Sequence, residues 1–152
     1  IRTIAGTGKA GFSGDGGPAT EAELDFPAEL DLDAAGNLYM LDTWNHRIRK
    51  LDRQTGAIHT VATGLPAGED AGPGVPPPLA GLGITSTQEL LYSNRRERSI
   101  HLVDRGGVDH PYLATRTPGA DVGSLAIGSG DIIYVADAAR NAIRVVAADG
   151  SL

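Results

Sequence analysis

Three sets of residues in this 152-residue chain have types and spacings that could do chemistry. The first is GTGKAGFSGDGG (6–17), in which Gly6, Gly8 and Gly11 spell G-x-G-x-x-G and Asp15 offers a carboxylate. Glycines in that pattern cradle a pyrophosphate when a strand leads into them, a helix follows, and an acidic residue stands about 20 positions on. The strand-like RTIA is present, but Phe12-Ser13-Gly14-Asp15-Gly16-Gly17-Pro18 cannot begin a helix. A Walker loop would need Ser or Thr after its lysine for magnesium, and Lys9 is followed by Ala10. A calcium loop would need several oxygens at alternate positions where Asp15 supplies one carboxylate. The stretch therefore reads as a connection whose glycines supply positive φ.

The second set is Glu29 and Asp31, two apart and so on one side of a strand, opposite Leu30 and Leu32. Such a pair can hold a divalent cation, or repel enough for one carboxyl to titrate high. The third is a set of loop residues. Trp44, the only tryptophan, stands beside Asn45 as an aromatic anchor for a peptide, protein or carbohydrate. Arg95, Arg96 and Arg98, with Arg140 further on, offer guanidinium forks for an acidic ligand.

Composition removes other chemistries. A formal charge of −6 opposes nucleic acid and anionic membranes as general partners. With no cysteine there is no disulfide, thiolate nucleophile or thiolate metal site. His46, His59, His101 and His110 never approach a zinc spacing, and no apolar run reaches the roughly 18–20 residues of a membrane span. No resident cofactor is expected beyond that possible divalent cation.

The elements that must position these residues emerge from an internal repeat. PAELDLDAAGNLYMLDTWNHRIRKLD (27–52) aligns without gaps on LAGLGITSTQELLYSNRRERSIHLVD (79–104), and that on VGSLAIGSGDIIYVADAARNAIRVVA (122–147). The registers agree at Leu30, Leu82 and Leu125, at Leu32, Ile84 and Ile127, at Asp42, Asn94 and Asp137, and at Ile48, Ile100 and Ile143. Each unit reads as four short strands: Leu30–Asp33, Leu38–Asp42, His46–Asp52 and, after a turn at Thr55-Gly56, Ile58–Ala62 in the first. Twenty-one glycines and nine prolines set in clusters between short Ile/Leu/Val runs reinforce an all-β reading. Four strands per period of about 40–50 residues predict β-propeller blades, in units 27–62, 79–114 and 122–152.

IRTIAGTGKAGFSGDGGPATEAELDFP followed by AGNLYMLDTWNHRIRKLD resembles the NHL-repeat propellers, with Asn45-His46-Arg47 in the place of the family's triplet. The resemblance is strongest over residues 1–62 and implies a fold more than a function, since the family includes binding modules and a few lactonase-like or lyase enzymes. It marks His46 as a blade-building residue. Residues 1–5 match the last strand of the first unit, so they are expected to serve a preceding or closing blade. About three blades are then an open segment of a larger ring, or half of a six-bladed homodimer. Successive antiparallel strands bring the connections between blades and the loops after each second strand to one face, which would carry residues 6–26, 63–78 and 114–122 together with Trp44, Arg95 and Arg140. The reading is a non-enzymatic ligand-binding or protein-interaction module without direct membrane insertion. Its alternative is a metal-dependent propeller enzyme with a central-channel site at Glu29 and Asp31. Eleven arginines against two lysines, with abundant Ala and Gly, suggest a bacterial source, and the glycine-rich style suggests an extracytoplasmic or secreted setting.

Overall fold

The computed structural model describes residues 1–65, 78–114 and 121–146, divided between two compact units, 1–67 and 68–152. Most of the Pro-rich connection 63–78, most of 114–122, and the expected last strand of the third blade at 147–152 lie outside the described residues.

In the first unit, β1 (Pro27–Leu32), β2 (Leu38–Asp42), β3 (Arg47–Leu51) and β4 (Ile58–Ala62) form one antiparallel sheet in chain order. Its turns follow from side chains that replace backbone partners. Asp33 Oδ1 accepts from Ala35 N (3.0 Å) and Asn37 N (2.9 Å), and Oδ2 accepts from Asn37 Nδ2 (2.8 Å), closing the β1–β2 turn. Asp52 Oδ1 similarly accepts from the Gln54 and Thr55 amides before Gly56, whose φ of +74° lies in the left-handed region that favours glycine. Residues 1–5, expected as a strand, form none, because no strand among the described residues lies against them to complete their hydrogen bonds. The glycine-rich segment that follows instead lines the outer edge of the sheet. Gly16 N donates to Ile58 O (2.8 Å), Ile58 N to Gly17 O (3.0 Å) and Ala19 N to Gly56 O (2.9 Å). From there Ala19 and Ala22 pack over Met40 and Ile58, all four buried.

The second unit holds two sheets. One runs β5 (Leu79–Ile84), β6 (Leu90–Asn94), β7 (Ser99–Val103), β8 (Asp109–Ala114); the other comprises β9 (Leu125–Ile127), β10 (Ile133–Asp137) and β11 (Ala142–Val146), with β10 in the middle. They stack face to face around Leu91, Ile100, Val122, Leu125, Ile133, Val135 and Val146. Gly81 and Gly83 make that stacking close. A Cβ on Gly81 would stand 2.6 Å from the Leu125 backbone nitrogen, and one on Gly83 2.7 Å from Leu125 Cδ1. Polar latches flank the core, with Ser93 Oγ donating to Gly123 O (2.6 Å) and Ser86 N and Oγ donating to the two carboxylate oxygens of Asp131 (2.7 and 2.6 Å).

The repeat extends to backbone conformation. Left-handed residues recur at Gly36, Gln88 and Asp131 in the first turn and at His46, Arg98 and Asn141 after the second strand, with the 52- and 43-residue shifts of the sequence alignment. Three sheets of this kind are β-propeller blades.

Gly81→Ala should destabilise the second unit by about 1–3 kcal/mol, since a backbone atom must move to admit the methyl group. Gly83→Ala should cost less, because the ends of the Leu125 and Ile127 side chains can turn away. Urea midpoints of the two variants test the difference, and equal, negligible shifts would show that the glycines are not packing determinants.

Candidate functional site

The loop after β2 and the connection entering β1 are built around one guanidinium. Arg49, on β3, is fully buried; its Nη1 lies 3.2 Å from Asp42 Oδ2, also fully buried, and its Nη2 donates to Asp15 Oδ1 (2.9 Å) and Ser13 O (3.1 Å). Asp42 caps the construction, accepting from Asp25 N (2.7 Å) and Asn45 Nδ2 (2.8 Å), while the Asn45 amide also donates to Gly11 O (2.8 Å). Trp44 N donates to Asp25 O (3.2 Å). A strand-end carboxylate and a strand-centre arginine thus pin the whole glycine-rich segment onto the loop 43–46. Asp15 is an ion-pair partner in this network, as fits the reading of its loop as a connection.

Three aromatic rings rise from that base. Phe12 lies under Arg47 and Arg49, whose guanidinium carbons stand 3.9 and 4.8 Å from its ring centroid. The Nε atoms of both arginines are buried without a hydrogen-bond partner among the described residues, so the π face supplies the attraction they otherwise lack. Phe26 and Trp44 form a tilted pair 6.4 Å apart, and they are 59 % and 44 % exposed. Phe26 holds a φ of +51°, a conformation that costs a bulky side chain about 1–3 kcal/mol and persists because Asp25 before it is held through its N–H by Asp42 and through its carbonyl by Trp44 N, while Pro27 after it is paired with Asp42 in the sheet.

The second unit repeats the scheme with different atoms. At the register of Asp42, Asn94 Oδ1 accepts from Arg96 N (3.1 Å) and Glu97 N (3.2 Å), and Asp137 Oδ1 accepts from Asp121 N (3.0 Å). That amide, first among several donors, outweighs burial and holds the Asp137 carboxyl below the usual range, with Arg140 and Arg144 adding to the effect. Arg95 forks onto Asp121 through Nε and Nη2, and the carboxylate raises its affinity for the proton further.

The nominated ligand residues therefore divide. Trp44 is displayed, and Arg98 is exposed in its left-handed turn. Asn45, Arg95 and Arg140 are engaged inside their own units, with Arg140 Nη1 3.3 Å from Asp137 Oδ2, and Arg96 is exposed but already has a partner. Glu29 and Asp31 stand on one face of β1. Strand side chains project from the faces of a sheet and not from its edge, and at the same register Gly81 and Gly83 look onto β9. Asp31 Oδ1 accepts from Leu32 N (2.8 Å). Among the described residues no group of three or more His, Asp or Glu side chains converges as a metal site would require.

Sequence reasoning passed over His101. Its Nε2 meets Ser99 Oγ (2.9 Å) and Glu97 Oε2 (3.0 Å), its Nδ1 meets Asp109 Oδ2 (3.0 Å), and its ring stacks on Tyr92 at 5.0 Å. Tyr92 Oη donates to Asp109 Oδ1 (2.9 Å), and burial, then this bond, raises the phenol's pKa. Ser, His and Asp in this order suggest nucleophilic catalysis, yet Ser99 is buried and Glu97 competes for the nitrogen it would use. The repeat offers the signal that identifies the cluster: Arg49, His101 and Arg144 fall at one register, each facing carboxylates. A separate groove of about 630 Å³ in the first unit, floored by Leu32, Leu38 and Leu51, is rimmed by Arg2, Asp52 and Arg53.

Comparisons agree with the class defined by the fold. Solved structures similar to this chain include virginiamycin B lyase from Staphylococcus aureus (TM-score 0.58, 15 % identity, 82 % of this chain and 39 % of that one). A gluconolactonase from Xanthomonas campestris gives a TM-score of 0.55 at 18 % identity, covering 73 % of this chain and 34 % of that one. An auxiliary nutrient binding protein from Bacteroides thetaiotaomicron gives 0.53 at 12 % identity, over 76 % and 36 %. In sequence, the chain is 25 % identical over 124 residues to teneurin-1 of Homo sapiens and of Mus musculus, covering 82 % of this chain. It spans 4 % of the length of those relatives. No protein-family model matches the chain.

Asp42→Ala should cost about 3–5 kcal/mol, because it leaves the Arg49 charge buried without its inner partner. Asp15→Ala, on the half-exposed side of the same guanidinium, should cost less; thermal melts rank the two, and a reversed order would displace Asp42 as the keystone. In the second unit the lowered Asp137 pKa means that its contribution is complete at neutral pH and is lost as pH falls below about 4, the unfolded value, towards the folded one. Asp137→Asn should flatten the acid limb of stability against pH, and an unchanged limb would rule the residue out as its source.

Proposed function

We propose that this chain is a non-enzymatic binding portion of an NHL-like β-propeller, contacting a protein or peptide partner through Trp44 and Phe26. One observation carries the reading: a backbone-strained Phe26 and the sole tryptophan are held out in solvent on a base whose charges are neutralised internally. Strain that a core would not need is a mark of function, and paired aromatics with few rotatable bonds bind at low ordering cost. Arg47 over Phe12 adds a cationic flank suited to a carbonyl-rich or acidic segment. The resemblance of 1–62 to NHL repeats and the nutrient-binding neighbours support a binding role, and the glycine-rich style supports an extracytoplasmic one. The lyase and gluconolactonase neighbours gain no support from Glu29 and Asp31, which lie on a sheet face.

Trp44 makes the test direct, because all tryptophan emission comes from the proposed contact. Peptides selected on the wild-type chain from a displayed random library should shift that emission, and Trp44→Ala should weaken their binding tenfold or more while leaving the melting temperature nearly unchanged. Peptides that bind Trp44→Ala and wild type equally, or a response to simple sugars with none to peptides, would refute the assignment.

A further inference from the structure

We infer that the peptide segment contacted by Trp44 and Phe26 carries an Asp or Glu whose carboxylate seats on Arg47; this rests on the binding reading above and adds the chemical class of what is bound. The neighbouring guanidinium, Arg49, is neutralised by both Asp42 and Asp15. Arg47 is left over. No carboxylate among the described residues pairs with it: its Nη1 donates to Asn45 O (2.7 Å), its Nε is buried without a partner, and its Nη2 is neither bonded nor closed off from solvent. A half-buried cation that its own sheet leaves unpaired has lost water without gaining an anion, and a ligand carboxylate supplies what is missing.

The blade framework makes no use of this charge. The repeat register puts Ser99 and Ala142 at the position of Arg47, and Arg96 and Ala139 at that of Trp44, so neither side chain is required to build the sheet or its loop. What holds Arg47 is Phe12, whose ring centroid lies 3.9 Å from the guanidinium carbon. Stacking engages the face of a guanidinium and leaves its edge, where the fork that recognises carboxylates lies. Asn45 ties this platform to the loop, since its amide holds Gly11 O beside Phe12 and its carbonyl takes Nη1. The short turn Thr43–Asn45 carries Trp44 to within three residues of Arg47, at most about 11 Å along the backbone, so one short peptide reaches both. Charge also sets an upper limit. The chain's formal −6, with the Glu23 carboxylate lying against Gly11, opposes a run of acids and favours a single one.

Two displayed random peptide libraries, alike except that one omits Asp and Glu, test this on the 152-residue chain. Trp44-dependent binders should come from the complete library with an acid a few residues from an apolar side chain, and the acid-free library should yield none of comparable affinity. Replacing that acid by its amide should weaken binding about tenfold, as should Arg47→Gln, and the two changes together should weaken it no further than either alone. Arg47→Lys keeps the charge without the fork and should fall between. An Arg47 that only supports the loop would instead weaken acidic and amidated peptides alike. If Arg47→Gln lowers the melting temperature, Arg47→Lys carries the same comparison in a folded protein. Trp44-dependent peptides that need no acid, or losses that add in the double change, overturn the inference and leave the binding reading standing. Libraries that yield no Trp44-dependent peptide remove the reading and the inference together.

Discussion

The first blade depends on a positive charge placed where water cannot reach it. Arg49 has no exposed surface, and an arginine does not shed its proton, so the surroundings must supply negative charge or the sheet cannot form around it. Asp42 meets half of that demand from the end of the neighbouring strand. The other half comes from Asp15, 34 residues away in sequence, which has to be carried in by a long glycine-rich segment. Electrostatic necessity thus orders a stretch that has no hydrophobic periodicity of its own. The same arrangement fixes Asp25 and Asn45, and through them the backbone on which Phe26 and Trp44 stand. In the second unit the partners at this register are more local: His101 lies between Glu97 and Asp109, and Arg144 faces Asp137, so neither needs a remote loop.

Much of the fold could be read from the sequence because a repeat constrains it three times over. The expected second and fourth strands of the first unit, Leu38–Asp42 and Ile58–Ala62, coincide with β2 and β4, and the aligned Asp42, Asn94 and Asp137 are buried loop caps. β1 begins at Pro27, earlier than its apolar alternation indicates, because the irregular pairing between Pro27 and Leu30 lets the strand run back to Asp42. The site was less legible. Phe12 and Phe26 lie in a loop, where no periodicity distinguishes a stacked ring from an idle one. Arg95 looked like a free anion contact because its partner, Asp121, is 26 residues away in a connection without pattern. The carboxylates of β1 were legible as a pair on one side of a strand, because the pleat fixes that much, but what that side faces is not written in the alternation.

The second blade shows how an apparent catalytic constellation arises from structural demands. A strand position whose side chain faces carboxylates, filled by histidine and set two residues from a serine, yields Ser-His-Asp distances with no requirement for chemistry. Register, more than distance, separates the two meanings.

The backbone bonds from Gly16, Gly17 and Ala19 to β4 and its approach have an effect beyond holding a loop. They fill the first positions, at Gly56 and Ile58, of the row of donors and acceptors by which the outer rim of a sheet recruits a foreign strand, so a strand arriving at that end would have to displace them. The glycine-rich segment thereby guards the end of an edge that could otherwise template a fibre.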